Sequence, residues 1–469
     1  MYSQEINIIK TPPINTENRH TIDGIKIYQS IPQAINILEE MLYQQALGNG
    51  HVWKYEIGGR KIHSIQVLIP SLGAVWLIVP SMTREDIQDV INAVGEEGGG
   101  NLYFVEGEYL LEDPLLIRHS NIHLYGQNLN TVIKCNADWR YAISKTDGSL
   151  LPMEDRISAN GEYAGIIDIR GAEEAVLENI KISGIRLDGN RATAYSYGIY
   201  SKYVGLAQTT GLTEGVGRYD STTVGNTMVN KTGVKIENCI IEDCYSYGIY
   251  LNSAANNTVT GNTVQNNNNN RGIYLTNSSN NNSITGNTVQ NNGGYGIYLT
   301  SSNNNTITGN TIQNNSSRGI FLHESSNNNT ITGNTVQNNG NLGIYLTSSS
   351  NNNTITGNTV QNNGSSGISL GSSSNNNTIT GNTVQNNSSH GINLQASNNT
   401  ITGNTVQSNG GRGIDMGGTH STVTGNIFVN NSNVNLYLSA SSSYNIVCSN
   451  QHGNNISNSG TGNKIYNNK

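Results

Sequence analysis

A repeat of about two dozen residues is the feature that most restricts how this 469-residue chain folds. The phrase T-I/V-T-G-N recurs in steps of 22 to 25 residues, and a second phrase, G-I-x-L or G-I-x-M, keeps the same interval. The glycine of the first phrase falls at Gly261, Gly286, Gly309, Gly333, Gly357, Gly381, Gly403 and Gly425. Repeats of this length are typical of solenoids, in which each repeat stacks on the next.

The residues between the two phrases indicate which kind of coil is repeated. Segments such as SSSNNN are poor helix formers, which argues against a leucine-rich repeat with a helical return segment. Within T-I-T and G-I-Y-L-T, apolar and polar residues alternate as in strands with one buried face. Asn and Gly tolerate left-handed backbone angles and allow sharp turns between strands. We therefore predict an all-β fold, a single-stranded right-handed parallel β-helix with 22 to 25 residues per coil.

Stacked coils predict two kinds of column along the chain. Neighbouring coils lie about 4.8 Å apart, so equivalent side chains of successive coils become neighbours. The apolar column contains Ile284, Ile307, Ile331, Ile355, Ile379 and Ile401. The polar column contains Asn287, Asn310, Asn334, Asn358 and Asn382. We expect the amides of the polar column to hydrogen-bond from coil to coil.

The N-terminal part of the chain does not repeat. Thr83 and Asp86 form a capping box, an apolar face follows, and glycines 98 to 100 end the segment, so an amphipathic helix is predicted that covers the open end of the β-helix. Upstream, the pattern predicts another helix from about residue 31 and a hairpin turning at residues 58–59. Residues 1–80 are predicted to form a small α+β module for attachment or oligomerisation. Residues 81–469 are predicted to form the β-helix, with regular repeats over 245–430.

Net charge, hydropathy and cysteine spacing limit the classes of partner and cofactor expected for this chain. The net charge of −7 argues against nucleic acid. No run of 18 apolar residues is present, so no membrane span is expected. The N-terminus lacks a basic-then-apolar leader, and an extracellular or virion-surface location stays open. The four cysteines show no metal-binding spacing, and we expect Cys239 and Cys244 to be buried apolar groups. No cofactor is predicted, although calcium is left open.

Charged residues and one long insertion limit where chemistry can lie. Only seven Asp, Glu, Lys or Arg residues lie beyond residue 250. The segment 201–233 breaks the period at a place where a turn would suffice, and loops of that length in compact folds are usually functional or disordered. We predict a wall or lid beside a lateral groove, with Arg218 and Asp220 as candidate catalytic residues. The alternative is an idle surface loop or an oligomer contact.

An outward aromatic column occupies the third place of the G-I-x-L phrase. Its members are Tyr200, Tyr250, Tyr274, Tyr298, Phe321 and Tyr345. Stacked rings can stabilise neighbouring strands, or they can form a platform for sugar rings. Arg271 and Arg318 precede the glycine of the same phrase, and such guanidinium groups match the carboxylates of an acidic polysaccharide. His323 and Glu324 follow Phe321 and form a candidate acid/base pair.

Two stretches carry a resemblance to a known family. The segment from DIQDVINAVGEEGGG to NTVIKC at residues 86–135 resembles the opening coils of the pectate-lyase-like superfamily. The stretch ISGIRLDGNR at residues 182–191, followed by YGIYLNS from Tyr247, resembles mannuronan C5-epimerases, which carry D-G-N-R and then Y-G-F-D-P-H. The resemblance covers roughly residues 83–300 and retains the tyrosine as Tyr247. The aspartate of the motif falls at Tyr250, its histidine at Asn252, and the aspartate one coil on at Thr276.

Three functions follow from these observations. The first is a lyase or C5-epimerase-like enzyme on a uronate-containing polysaccharide, with Tyr247 transferring the proton and Arg218 or Arg271 neutralising the carboxylate. The second is a glycan-binding surface protein without catalysis. The third is a structural spike, like a β-helical virus tail fibre. A carbohydrate-handling β-helix is the common expectation of the first two.

Overall fold

The protein was analysed as a computed structural model. It describes residues 27–28, 31–46, 55–57, 60–136, 142–144, 149–156, 161–162, 164–171, 177–190, 197–202, 233–268, 270–452 and 455–468. The chain divides into two compact units, residues 1–240 and 241–469, which are described in turn.

Two helices lie in the first unit, α1 (Ile31–Ala46) and α2 (Arg84–Glu96). The capping box of α2 is formed as predicted, because the Thr83 hydroxyl accepts from the backbone N–H of Asp86 and the Asp86 carboxylate accepts from the backbone N–H of Thr83. The apolar face of α2 is buried. Gln88 of α2 bonds to both backbone groups of Leu116, at 2.8 Å each. The helix thereby pairs with the outermost strand of a parallel sheet and covers its edge.

The strands of the first unit pair mainly in parallel, one coil apart. They are Ile27–Tyr28, Tyr55–Ile57, Arg60–Ile62, Gln66–Ile69, Gly73–Ile78, Gly100–Phe104, Gly107–Leu111, Leu115–Ile117, Ile122–Gly126, Thr131–Cys135, Ile143–Ser144, Gly161–Glu162, Gly165–Arg170, Ile180–Ser183, Arg186–Asp188, Tyr197–Lys202 and Val234–Glu237. A short 3-10 helix is formed by Met153–Asp155, and a further strand, Ile240–Glu242, lies at the boundary of the units.

The predicted hairpin around residues 58–59 is confirmed, since Tyr55–Ile57 pairs antiparallel with Arg60–Ile62. The predicted domain boundary at residue 80 stays a prediction. Gly73–Ile78, on its N-terminal side, pairs in parallel with Gly100–Phe104 of the coils.

The second unit is built from three parallel sheets, each contributing one short strand to a coil. The TIT sheet comprises Thr258–Thr260, Ser283–Thr285, Thr306–Thr308, Thr330–Thr332, Thr354–Thr356, Thr378–Thr380, Thr400–Thr402, Thr422–Thr424, Ile446–Cys448 and Lys464–Tyr466. The TVQ sheet comprises Thr263–Gln265, Thr288–Gln290, Thr311–Gln313, Thr335–Gln337, Thr359–Gln361, Thr383–Gln385, Thr405–Gln407, Ile427–Val429 and Gln451–His452. The IYL sheet comprises Ile249–Asn252, Ile273–Thr276, Ile297–Thr300, Ile320–His323, Ile344–Leu346, Ile368–Leu370, Ile392–Leu394, Ile414–Met416, Leu436–Leu438 and Ile456–Asn458. These sheets confirm the predicted all-β, right-handed parallel β-helix.

Both predicted columns are present in the second unit. The isoleucines of the apolar column are fully buried, and they lie opposite one another in register, as Ile307 does with Ile284 and Ile331. In the polar column, Nδ2 of Asn310 donates to Oδ1 of Asn334 at 2.9 Å, and each amide also satisfies a backbone carbonyl. Every described asparagine of this column is about 1% exposed. Because water does not reach these buried polar groups, the asparagine amides supply their hydrogen bonds.

Two kinds of glycine fix the path of each coil. Gly286, in the T-G-N turn, has φ of 64°, a left-handed conformation that disfavours residues with a Cβ. Gly296, which begins an I-Y-L strand, is packed so closely that a Cβ would lie 2.4 Å from Cγ2 of Ile312. The turn therefore needs glycine for its backbone angles, and the strand entry needs it for space.

Candidate functional site

A ladder of five aromatic rings runs along the outward side of the IYL sheet. Its members are Tyr250, Tyr274, Tyr298, Phe321 and Tyr345, and neighbouring ring centroids are 4.8 to 5.2 Å apart with interplanar angles of 3° to 19°. The strands place them there because Ile and Leu of each I-x-L phrase point into the core, which leaves the middle residue on the opposite side. The parallel register puts each ring opposite the next. The predicted aromatic column is thus a continuous stack.

Stacking limits which parts of the rings a ligand can contact. Tyr298 is 7% exposed and Phe321 is 5% exposed, because their faces contact the rings above and below. Burial raises the pKa of the Tyr274 hydroxyl and of the Tyr298 hydroxyl, so both stay protonated. A sugar ring cannot lie on faces that neighbouring rings already cover. The inner rings contribute edges and hydroxyl groups to the surface.

A second column, the edge column, borders the ladder and consists of Tyr247, Arg271, Tyr295 and Arg318. The guanidinium carbon of Arg271 lies 4.5 Å from the ring centroid of Tyr274 and 4.7 Å from that of Tyr298. That of Arg318 lies 4.3 Å from the ring of Phe321 and 4.8 Å from that of Tyr345. Each arginine therefore rests on the ring of its own coil and on the ring of the next, an arrangement favoured by cation–π attraction.

Hydrogen bonds fix both guanidinium groups further. Nη1 of Arg271 donates to the hydroxyl of Tyr247 at 2.8 Å, and Nη1 of Arg318 donates to the hydroxyl of Tyr295 at 3.2 Å. The Nε atoms of both arginines are buried without a hydrogen-bond partner, as expected for groups held against ring faces. Within the described part of the chain, neither guanidinium forms an ion pair with a carboxylate. Two cations are thus held in place by rings and hydroxyl groups, with no anionic partner in the described ranges.

The candidate pair His323 and Glu324 is brought together only loosely. Nδ1 of His323 lies 3.7 Å from Oε1 of Glu324, beyond hydrogen-bonding distance, and 3.1 Å from the hydroxyl of Tyr298. The Glu324 carboxylate instead accepts from the hydroxyl of Thr300 at 2.7 Å. The histidine therefore contacts the ladder and does not pair with Glu324. Glu324 places one negative charge at the opposite edge of the strand from Arg318.

Three predicted site residues, Tyr200, Arg218 and Asp220, lie in the insertion or directly before it. Arg218 and Asp220 lie outside the described residues, as does most of the insertion, residues 203–232. Tyr200 lies on the strand Tyr197–Lys202, but its side chain is not among those described. The predicted wall or lid stays a prediction.

A polar cluster further along the IYL sheet was not predicted from the sequence. Its members are His390, Arg412, Asp415 and Tyr437. Arg412 donates to Asp415 at 2.7 Å and lies 3.5 Å from the ring centroid of Tyr437, and Nε2 of His390 is 3.6 Å from Asp415. These residues occupy the same columns as the ladder and the edge column, so their period in the sequence was the available signal. Here the cation is neutralised by a neighbouring acid.

The first unit holds a buried acid that sequence reasoning also missed. Asp168 is fully buried and lies opposite Tyr200 in the strand register. Burial opposes ionisation, but Arg170, at 2.8 Å, and Arg118, at 3.0 Å, more than offset it and hold the pKa of Asp168 below its ordinary value. This carboxylate is thus fully buried and held by two arginines.

The sheets and columns define a parallel β-helix with a basic aromatic face, and comparison with protein families gives its relationship. The family described as "Right handed beta helix region" matches residues 120–289 and 227–384, which together span more than half of the chain. The chain belongs to the right-handed β-helix family. A second description, "Periplasmic copper-binding protein (NosD)", matches residues 349–469. No curated protein matches the chain.

Solved structures share the fold at low sequence identity. The A-module of the mannuronan C-5 epimerase AlgE6 from Azotobacter vinelandii is 18% identical, with a TM-score of 0.54 over 82% of this chain and 93% of that one. The periplasmic alginate epimerase AlgG is 18% identical, with a TM-score of 0.50 over 77% and 85%. Pre-mature gene product 12 of bacteriophage phi29 is 15% identical, with a TM-score of 0.52 over 77% and 53%. At these identities the likeness establishes the fold.

The side chains in the stretch matched by the copper-binding description do not fit a copper centre. Nδ1 of His390 accepts from the backbone N–H of Arg412, and Met416 is fully buried in the core. The described residues contain no group of three or more His, Cys, Asp or Glu side chains that could hold a metal ion. Cys239 and Cys244 are buried as predicted. Among the described helices, none is long and apolar enough to cross a membrane.

Proposed function

We propose that the ladder and the edge column form a binding face for an acidic, uronate-containing polysaccharide. The observation that carries this proposal is the pair of guanidinium groups of Arg271 and Arg318, which are held against ring faces and have no carboxylate partner among the described residues. Arginine binds carboxylates through paired, charge-assisted hydrogen bonds, and holding the side chain in advance reduces the entropy lost on binding. The tyrosine hydroxyls beside them are suited to sugar hydroxyls. Related folds named for acting on mannuronan and alginate support the proposal.

The binding proposal is tested with a panel of neutral and uronate polymers. Affinity is measured for the protein and for the double variant Arg271→Gln and Arg318→Gln. We expect the double variant to lose most of its affinity for uronate polymers, because both charges are removed while the ladder remains. Arg412→Gln is the matched control, since Asp415 already neutralises that arginine. Equal binding of the double variant and the unaltered protein would refute the proposal.

A second candidate function is proton abstraction beside the sugar carboxylate, as in a lyase or C5-epimerase. The observation that favours it is the 2.8 Å contact between Nη1 of Arg271 and the hydroxyl of Tyr247, which places a cation beside the candidate proton-transfer group. In this proposal, Arg271 would also neutralise the substrate carboxylate. The aspartate and histidine positions of the epimerase motif are occupied by Tyr250 and Asn252. The catalytic proposal therefore rests on Tyr247 and Arg271.

Catalysis is tested by incubating uronate polymers with the protein in deuterated water. Absorbance of unsaturated products reports a lyase, and deuterium incorporation at C5 reports an epimerase. If either signal is present, Tyr247→Phe should abolish it while polymer binding persists. If neither signal appears and the polymer still binds, the protein is a binding module.

The comparisons also bear on the location of the protein and on the role of residues 1–80. We propose that the protein works outside the cytoplasm or on a virion surface, with residues 1–80 serving attachment or oligomerisation; the phage and periplasmic proteins with the same fold support this. Light scattering of the full chain, with and without a substitution in α1, tests the oligomer proposal. A monomer in both cases would contradict it.

A further inference from the structure

The edge column differs in period from the sheet on which it lies. The backbone and the ladder repeat once per coil, whereas the edge column alternates tyrosine and arginine in the order Tyr247, Arg271, Tyr295, Arg318. Each arginine also bonds to the tyrosine of the coil before it. The chemical repeat of this column is therefore a tyrosine–arginine pair that spans two coils.

The positions of the charges keep this two-coil period. The guanidinium carbon of Arg271 is almost equidistant from the rings of its own and the next coil, at 4.5 and 4.7 Å. The corresponding distances for Arg318 are 4.3 and 4.8 Å. Both guanidinium groups therefore have similar positions relative to the two rings that they contact. Since each coil rises about 4.8 Å, the two charges lie about 10 Å apart along the sheet.

The sequence places few other charged residues in the coils around Arg271 and Arg318. The only other charged side chains in coils 250–350 are Glu324 and, when protonated, His323, both at the opposite edge of the strands. In the next coil, Leu342 takes the place where a third tyrosine would stand. Further along, Arg412 is paired with Asp415. Among the residues that the structure describes, the repeating element thus offers two cations without a carboxylate partner, separated by one uncharged coil.

We infer that the ligand of this face is an extended linear polysaccharide that presents one carboxylate for every two sugar residues toward the protein. This inference rests on the proposed function and specifies its substrate class. An extended hexose residue is about as long as one coil rise, so carboxylates on first and third residues would match Arg271 and Arg318. The sugar between them would face Tyr295, whose hydroxyl accepts a hydrogen bond from Arg318. Carboxylates on adjacent residues would leave one charge opposite a tyrosine.

Two kinds of polymer present this spacing. One has a disaccharide repeat of an acidic and a neutral sugar. The other is a homopolymer of uronate with a two-fold ribbon conformation, in which successive carboxylates point to opposite sides and alternate ones share a side. The spacing of carboxylates on one side is the chemistry common to both.

Defined oligosaccharides test the spacing directly. Titration calorimetry compares 1,4-linked trisaccharides of glucose and glucuronate that carry carboxylates on residues one and three, on residues one and two, or on residue one alone. We expect the first to bind about tenfold more tightly than the others, because only it engages both arginines. Equal affinity for the first and second compounds would overturn the inference while leaving the proposed function intact. No binding of any acidic compound above the neutral glucose trisaccharide of the same linkage would overturn both.

A rearranged protein provides the complementary test. Exchanging the edge residues, with Tyr295→Arg and Arg318→Tyr, moves the second cation one coil closer to the first. The preference for carboxylates on residues one and three should then be lost, because the two cations no longer lie two coils apart. Circular dichroism verifies that the rearranged protein is folded, and Arg412→Gln serves as a variant whose preference stays unchanged. An unchanged preference in the folded rearranged protein would refute the spacing argument.

Oligomers of longer length separate the two sources. An alternating glucuronate–N-acetylglucosamine hexamer represents the first, and a β-1,4-linked mannuronate hexamer the second. Preference for either over a hexamer of α-1,4-linked galacturonate, which is closer to three-fold, supports the inference and identifies the source. Equal or tighter binding of the galacturonate hexamer would contradict it.

Discussion

The upstream and downstream parts of the IYL sheet share a backbone and differ in their outward faces. Strands from Ile249–Asn252 to Ile344–Leu346 carry five stacked rings, with two arginines resting on them. Strands from Ile368–Leu370 to Leu436–Leu438 carry Ser369, Asn393, Asp415 and Tyr437 at the same position. The inward Ile and Leu residues hardly change. The comparison teaches that in this solenoid the core fixes the coil and leaves the surface column free to vary.

The largest effect should come from the buried asparagines, which both parts share. Asn334→Ala removes an amide that donates to Asn358 and to the carbonyl of Ile307 and accepts from two groups of Asn310. Leaving these buried groups unpaired should lower the free energy of unfolding by about 3–5 kcal/mol. The measurement is urea denaturation followed by circular dichroism.

The downstream control is Asn404→Ala, which removes the equivalent amide. We expect a loss of similar size, since the same column supports both regions. A loss at Asn334 alone would show that the two parts have different scaffolds.

The next effect should separate the regions. Phe321→Ala removes the ring contacts to Tyr298 and Tyr345, at centroid distances of 4.8 and 5.2 Å. Aromatic pairs contribute about 0.5–1.5 kcal/mol each beyond the apolar area they bury, so the two ring contacts alone account for a loss of about 1–3 kcal/mol. Phe321→Tyr is the conservative control and should be nearly neutral, because the ladder already contains tyrosines. Ser369→Ala, at the same position downstream, should have little effect, and an equal loss there would contradict the ladder's contribution.

The downstream cluster should show a pH dependence. Burial lowers the pKa of His390, and the charge of Arg412 acts in the same direction while Asp415 opposes both. The folded state therefore binds a proton less readily than the unfolded state, whose histidine titrates near 6.5. Stability from this group is complete above about pH 6.5 and decreases as pH falls below it.

Unfolding free energies measured between pH 5 and 8 test this dependence. His390→Gln should flatten the profile in the region below pH 6.5, because no proton uptake on unfolding remains at this position. A His390→Gln profile identical to that of the unaltered protein would refute the prediction.

The smallest effect should sharpen the charge argument on the upstream part. Glu324→Gln removes the carboxylate that accepts a hydrogen bond from Thr300 and should raise affinity for a uronate polymer about twofold at low salt. The increase should disappear at 1 M salt, where exposed charges are screened within about 3 Å. Glu154→Gln, which removes an exposed acid of the first unit, controls for net charge. An increase that persists in high salt would point to a cause other than charge.

The sequence by itself determined the solenoid, the apolar and asparagine columns and the order of the aromatic column. The reason is that in stacked parallel coils a fixed period converts positions two dozen residues apart into neighbours in register. Gly286 and the capping box at Thr83 were predictable because backbone angles and caps are local. The alternation of tyrosine and arginine in the edge column was also present in the sequence. The sequence did not show how these side chains contact one another.

Only the tertiary structure decided how the surface side chains use their neighbours. It showed that ring faces in the ladder cover one another, so the expected platform for sugar rings offers edges and hydroxyls instead. It placed both arginines between successive rings, and it paired Arg412 with Asp415 while leaving Arg271 and Arg318 without a described carboxylate partner. A repeat fixes which residues meet. The conformation of each long side chain is set by competing contacts across three coils, which the period does not specify.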